Sequence, residues 1–154
     1  VRSRLQGSFR LALLVLAIGL VPIQAHQPGL STVFLDLGSN RITARMILAW
    51  QELPNSAVLD SDGDGTLSEG ELAGQRKRLQ AMGESALSLE SDGRMLAIKA
   101  PPEINIDDTT GVRFNLTFEF PVTSVLTLHS EILSELRPAH RQIVTVRNST
   151  GGIL

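Results

Sequence analysis

Val112-Arg113-Phe114-Asn115-Leu116-Thr117-Phe118-Glu119-Phe120 alternates apolar and polar residues without a break. Successive side chains of a strand point to opposite faces, so this run predicts a β-strand with one buried and one wet face. Ile42, Ala44, Met46, Leu48 and Trp50 alternate with Arg41, Thr43 and Arg45 in the same way. Val33, Leu35 and Leu37 form a shorter strand before them, and Gly38-Ser39-Asn40 supplies a hairpin turn between the two. A second hairpin is expected from residues 86–90 and 94–99 across Ser91-Asp92-Gly93, with further strands at 125–132 and 141–147. Pro101, Pro102 and Pro138 punctuate the connections. Seven short strands with frequent turns argue for a mainly β fold, an antiparallel sandwich of immunoglobulin-like type.

One insertion breaks the alternation, and it carries the chemistry. Asp60-Ser61-Asp62-Gly63-Asp64-Gly65-Thr66-Leu67-Ser68-Glu69-Gly70-Glu71 fits a calcium-binding EF-hand loop at each diagnostic position. Calcium is a hard cation that takes six to eight oxygens, and carboxylates at loop positions one, three and five supply them from one turn. Asp60, Asp62 and Asp64 stand there. Gly65 occupies the sixth position, where the backbone turns sharply. Thr66 is expected to give its backbone carbonyl, Ser68 a hydroxyl or a bridging water, and Glu71 a bidentate carboxylate at position twelve. A turn-rich acidic loop explains the two Asp-Gly pairs, but not Asp60, Leu67 or Glu71.

Ser68 and Glu71 also form a capping box, so a helix is expected to start inside the loop, bury Leu72, Leu79 and Met82, and stop at Gly83. Proline is tolerated only in a helix's first turn, which limits the preceding helix to residues 54–59. The insertion thus reads as an EF-hand-like helix-loop-helix at about 54–82. It has no second copy and no repeat. A lone hand reads as a structural clip, with Leu67 packed on the sandwich or on a second copy of the domain.

Upstream, Arg2, Arg4 and Arg10 precede the apolar run 11–21, which Pro22 ends, and Ala25 is a small residue suited to cleavage. The run is shorter than the about 20 residues that span a bilayer. Residues 1–25 therefore read as a signal peptide, an uncleaved anchor being the alternative. Residues 26–154 form one domain exported to the periplasmic or extracellular face. Removing the leader leaves 11 basic and 16 acidic residues, five of the acids within the loop. No basic patch remains for nucleic acid. Cysteine is absent, so disulfides do not staple the domain.

The remaining candidates are weaker. His26 would become the mature N-terminus, where an amine and an imidazole suit nickel or copper. His129 and His140 lack metal spacing and read as hydrogen-bonded structural residues. Glu103, Asp107 and Asp108 read as an acidic cluster on a solvated loop, a weak second cation contact being the alternative. No serine elbow, phosphate loop or cysteine nucleophile is present, so catalysis is not expected.

Several segments together resemble the N-terminal extracytoplasmic domain of HupE/UreJ-type membrane proteins, a family tied to hydrogenase and urease accessory functions and described as nickel permeases. They are Ala25-His26 at the end of the leader, the strand hairpin, Leu59-Asp60-Ser61-Asp62-Gly63-Asp64-Gly65 with Glu71-Leu72, and Leu136-Arg137-Pro138-Ala139-His140-Arg141. Only the calcium loop is specific, and Arg137 stands where an acid is expected. The resemblance implies the soluble module of a larger transporter, with a membrane-embedded segment as partner. A periplasmic nickel or copper carrier using His26 and a secreted adhesion module are the rival expectations.

Overall fold

The computed structural model describes residues 29–107, 111–119, 125–148 and 152–153. Residues 1–28 lie outside them, and with them the expected leader and His26. The alternating run that opens the sequence reading is a strand, here β6 (Gly111–Glu119). It pairs antiparallel with β2 (Arg41–Ala49), and β2 pairs with β1 (Leu30–Leu37). β5 (Glu103–Asp107) and β8 (Arg141–Arg147) complete a five-stranded sheet in the order β5-β6-β2-β1-β8. β4 (Arg94–Met95), β3 (Ser88–Ser91) and β7 (Leu126–His129) form a second, three-stranded sheet. One helix, α1 (Glu69–Ala86), lies between β2 and β3 in the chain. The molecule is mainly β, two antiparallel-rich sheets in a sandwich-like arrangement.

Register explains the core. Val33, Met46, Phe114 and Ile104 stand in one row across four strands, and Leu35, Ala44 and Leu116 in the next. All are buried, because the alternation sends every second side chain inward. Leu72 and Leu79 of α1 join the same cluster, with Leu89 from β3. The chain after β4 ties the two sheets together. Leu96 N still donates to Leu89 O, but Ile98 bridges to Phe118 and Lys99 N donates to Thr117 O.

Several expectations are corrected. β8 runs parallel to β1, so the large sheet is not wholly antiparallel. β5 was expected as a loop; Ile104 and Ile106 alternate there, and the flanking acids hid a strand of five residues. Helix α1 does not stop at Gly83 but runs to Ala86. That glycine serves packing instead, because a Cβ on it would sit 2.8 Å from the Phe114 ring. The expected helix at 54–59 is a single 3-10 turn, Ser56–Val58. Asn55 at φ 56° is left-handed and cannot propagate an α-helix from Pro54. The strand expected at 125–132 shortens to β7, and Ile132 belongs to a 3-10 turn. Trp50 likewise opens a 3-10 turn, Trp50–Glu52, rather than ending β2.

Candidate metal centre

Three leucines fix the acidic loop to the body. Leu59 before it, Leu67 within it and Leu72 after it are all buried in the core cluster. Between Leu59 and Leu67 the chain is forced outward, and most of its residues are exposed. Gly63 and Gly65 have φ of 73° and 82°, left-handed values that cost glycine nothing. With Leu67 turned inward, Ser68 takes the extended N-cap conformation and α1 begins.

The carboxylates organise around backbone amides. Asp60 accepts hydrogen bonds from the N–H of Asp64 (3.1 Å) and of Gly65 (3.0 Å), and Asp62 also accepts from Asp64 N (3.1 Å). Glu71 closes the loop. Its Oε1 accepts from Ser61 N (2.5 Å) and Ser61 Oγ (3.0 Å), and its Oε2 from Ser68 N (2.9 Å) and Ser68 Oγ (2.8 Å). Ser68 Oγ in turn accepts from Glu71 N (3.3 Å), completing the capping box.

One oxygen each from Asp60, Asp62 and Glu71 lies within 4.8 Å of the others. Three anionic oxygens so close together suit a hard divalent cation. Asp64 stands apart from this group: its Oδ1 accepts from Thr66 N and Thr66 Oγ1, both at 2.7 Å. Thr66 and Ser68 are exposed, and the Ser68 hydroxyl is engaged in the helix cap. The structure thus gathers three of the six expected ligand residues and places the other three beside them.

The hydrogen bonds have an electrostatic consequence. The Ser68 backbone N–H, the Ser68 hydroxyl and the Ser61 backbone N–H hold the Glu71 pKa at about 2, below the ordinary 4.5. A depressed folded pKa gives a contribution to stability that is present above pH 4.5 and lost as pH falls toward 2. In ion-free protein, carbon-13 NMR should find the Glu71 carboxyl titrating near 2. A midpoint near 4.5 would mean that these hydrogen bonds do not form in solution.

The other flagged residues divide. Asp107 is ion-paired with Arg113, whose Nε donates at 3.0 Å, which removes it from any loop cluster. Glu103 is exposed at the start of β5, and Asp108 lies outside the described residues. His129 Nε2 is 3.5 Å from Glu90 on the surface.

His140 is different. Its Nε2 lies 3.0 Å from Ser31 Oγ and its Nδ1 lies 2.8 Å from Glu52 Oε2, with all three side chains buried. Gln142 Nε2 also donates to Ser31 Oγ (3.2 Å), and Glu52 Oε1 accepts from Gly29 N. The Ser–His–Glu order resembles a nucleophile relay. Ser31 is only 1 % exposed, however, and its hydroxyl is already held by two partners. The network ties β1 and β8 to the turn after β2. Glu52 was not singled out from the sequence. The one available sign was an acid between Trp50 and Leu53, where flanking apolar residues pull the backbone inward.

No helix among the described residues is long and apolar enough to cross a membrane. No protein-family model matches the chain, and no curated protein does.

Proposed function

We propose that the chain is an exported calcium-binding module in which an EF-hand-like loop clips α1 to an immunoglobulin-like sandwich. The observation that carries this reading is the convergence of Asp60, Asp62 and Glu71 oxygens within 4.8 Å, on a loop with left-handed glycines at the turn positions. The donor set is entirely oxygen, without sulfur or nitrogen, which suits calcium over zinc, nickel or copper. Asp60, Asp62 and Glu71 would hold the ion from this arrangement. Asp64, the Thr66 carbonyl and Ser68 would complete its shell after local rotation. Bound calcium supplies the positive charge that offsets the mutual repulsion of the loop carboxylates.

The clip works through the chain's own residues. Glu71 belongs to α1, Asp60 follows the buried Leu59, and Leu67 sits in the core between them. Drawing Asp60 and Glu71 together therefore fixes the helix N-terminus against the β-rich body. No catalytic role is assigned, because the serine beside His140 is enclosed and already hydrogen-bonded. The resemblance to HupE/UreJ-type proteins supports reading it as the soluble part of a membrane transporter, on the periplasmic or extracellular face.

Calorimetric titration tests the reading. Exported modules of this kind bind calcium at about 10⁻⁴–10⁻³ M. At ten times the dissociation constant, the ion adds about 1.4 kcal/mol to stability. Glu71→Gln should weaken binding by at least about tenfold, or about 1.4 kcal/mol. No heat and no shift in melting temperature in the unmutated chain would reduce the loop to an acidic turn.

A further inference from the structure

We infer that the cleft between α1 and the chain leaving β4 binds an extended aliphatic peptide with a basic residue, which adds to the backbone edge at Ile98. The cleft measures about 530 Å³. That lies within the about 300–1,000 Å³ of small-ligand pockets. Leu87 and Phe118, both buried, form its floor, with the half-buried Leu96 and Ile98 beside them. Glu84 and Pro101 stand exposed at its rim. Every residue that lines it is among the described ones.

The cleft exists because two strands part. Leu96 N donates to Leu89 O of β3, and beyond it the chain turns to β6. There Lys99 N donates to Thr117 O, and Glu119 N donates to Ala97 O. Bonds of an antiparallel ladder alternate, so Ile98, between those two, directs its amide and carbonyl the other way, toward the cleft. Neither group has a hydrogen-bond partner among the described residues. The Ile98 side chain shares the inward face of Phe118, so Lys99 turns to the opposite face of the sheet.

Farther along, α1 closes this same edge. Arg76 Nη1 donates to Ile104 O (3.4 Å) and Gln80 Nε2 to Pro102 O (3.2 Å). Four helix residues advance about 6 Å and two strand residues about 6.6 Å, so the series keeps step. Its next member is Glu84, level with Ala100, and both line the cleft. An ionised carboxylate only accepts hydrogen bonds, so it cannot cap a carbonyl as Arg76 and Gln80 do. Glu84 has no ion pair among the described residues. Closure of the edge thus stops where the helix changes from donor to acceptor. A peptide strand supplies each missing part. Its backbone pairs with Ile98, an aliphatic side chain covers the Leu87–Phe118 floor, and its cation meets Glu84. An anionic ligand would meet Glu84 with like charge.

The probe is the blocked peptide acetyl-Lys-Val-Leu-Val-Ser-amide, titrated into the nitrogen-15-labelled full chain. Binding on the order of 100 µM is expected for so short a segment, with the Ile98 and Ala100 amide signals moving most. Only alternate residues of a strand direct their amides to a given neighbour. Methylating one alternate set of the peptide's amides should therefore abolish binding, and methylating the other set should leave it nearly unchanged. Glu84→Lys, at an exposed helix position, should weaken binding about fivefold and shift preference to the peptide with glutamate in place of lysine. No movement of the Ile98 amide up to about 5 mM peptide overturns the inference. So does binding that tolerates both methylated sets, which marks plain apolar partition, or an affinity unchanged by Glu84→Lys. Nuclear Overhauser contacts in the free protein from the Ile98 amide to another segment of the chain, or to a second copy, also overturn it. The methylated peptides decide even if the Glu84→Lys protein misfolds.

Discussion

Glu52→Ala should cost about 3–5 kcal/mol of folding stability, read as a fall in the urea midpoint at unchanged slope. Glu52 sits 9 % exposed at the turn after β2; its Oε1 accepts from Gly29 N and its Oε2 lies 2.8 Å from His140 Nδ1. Truncation leaves Gly29 N without its acceptor and His140 Nδ1 buried without the neighbouring carboxylate. Breaking a buried pair by removing one member is far costlier than never having built it, because the survivor keeps its desolvation penalty. Glu52→Gln keeps one carbonyl oxygen and the shape of the side chain, and should lose roughly half as much. A double change of Glu52 and His140 to alanine should cost clearly less than the sum of the two single changes, by about 1–3 kcal/mol. Additive effects would show that the two side chains do not act as a unit. The network joins the starts of β1 and β8 to the segment leading toward the acidic loop. Its loss should therefore loosen the β1–β8 pairing first, which amide hydrogen exchange along β8 would detect.

The alternating segments were the legible part of the fold. β1, β2 and β6 each follow the period-two pattern, because burial on one face imposes it, whereas β8 is exposed or half-buried throughout. The hairpin at Ser91-Asp92-Gly93 was legible from turn chemistry: Asp92 and Gly93 both have positive φ, and Ser91 pairs with Arg94. What escaped was set by neighbours far away in sequence. Gly83 looked like a helix stop, yet its missing side chain makes room for Phe114. β5 looked like a charged loop, yet Asp107 is neutralised by Arg113 across the β5–β6 pair. The parallel course of β8 beside β1 depends on where a long excursion returns, and no local pattern encodes that.

The candidate site divides the same way. Side-chain types and spacing made Asp60, Asp62 and Glu71 legible as a converging set, since a loop of this length has few ways to close. The turn of Asp64 toward Thr66 is a local hydrogen-bond choice between nearby donors, invisible in spacing. His140 was legible only as structural in general terms. Its partners Ser31 and Glu52 lie 109 and 88 residues away, and only the assembled sheet brings them together.

Leu67→Ala should cost about 2–4 kcal/mol and, in addition, weaken the proposed calcium binding although it removes none of the proposed ligands. Leu67 is the eighth residue of the loop and is 4 % exposed within the core cluster that also holds Leu59 and Leu72. In a paired hand this position faces a second loop; here the domain's own core takes that place, as expected for a lone insertion. Truncation removes the apolar contact and leaves a cavity that the β-rich body is too rigid to close fully. The loop then hangs from Leu59 and the α1 capping box alone. Its carboxylates must be gathered against their own repulsion at the moment of binding, and that ordering cost subtracts from affinity. Melting curves with and without calcium, on the unmutated chain, Leu67→Ala and Glu71→Gln, separate the two roles. Leu67→Ala should lower the melting temperature in both conditions and reduce the rise on adding calcium. Glu71→Gln should abolish that rise while lowering the ion-free stability less. If Leu67→Ala retained the full calcium response, the loop would be preorganised by its own hydrogen bonds, and the core would have no part in building the site.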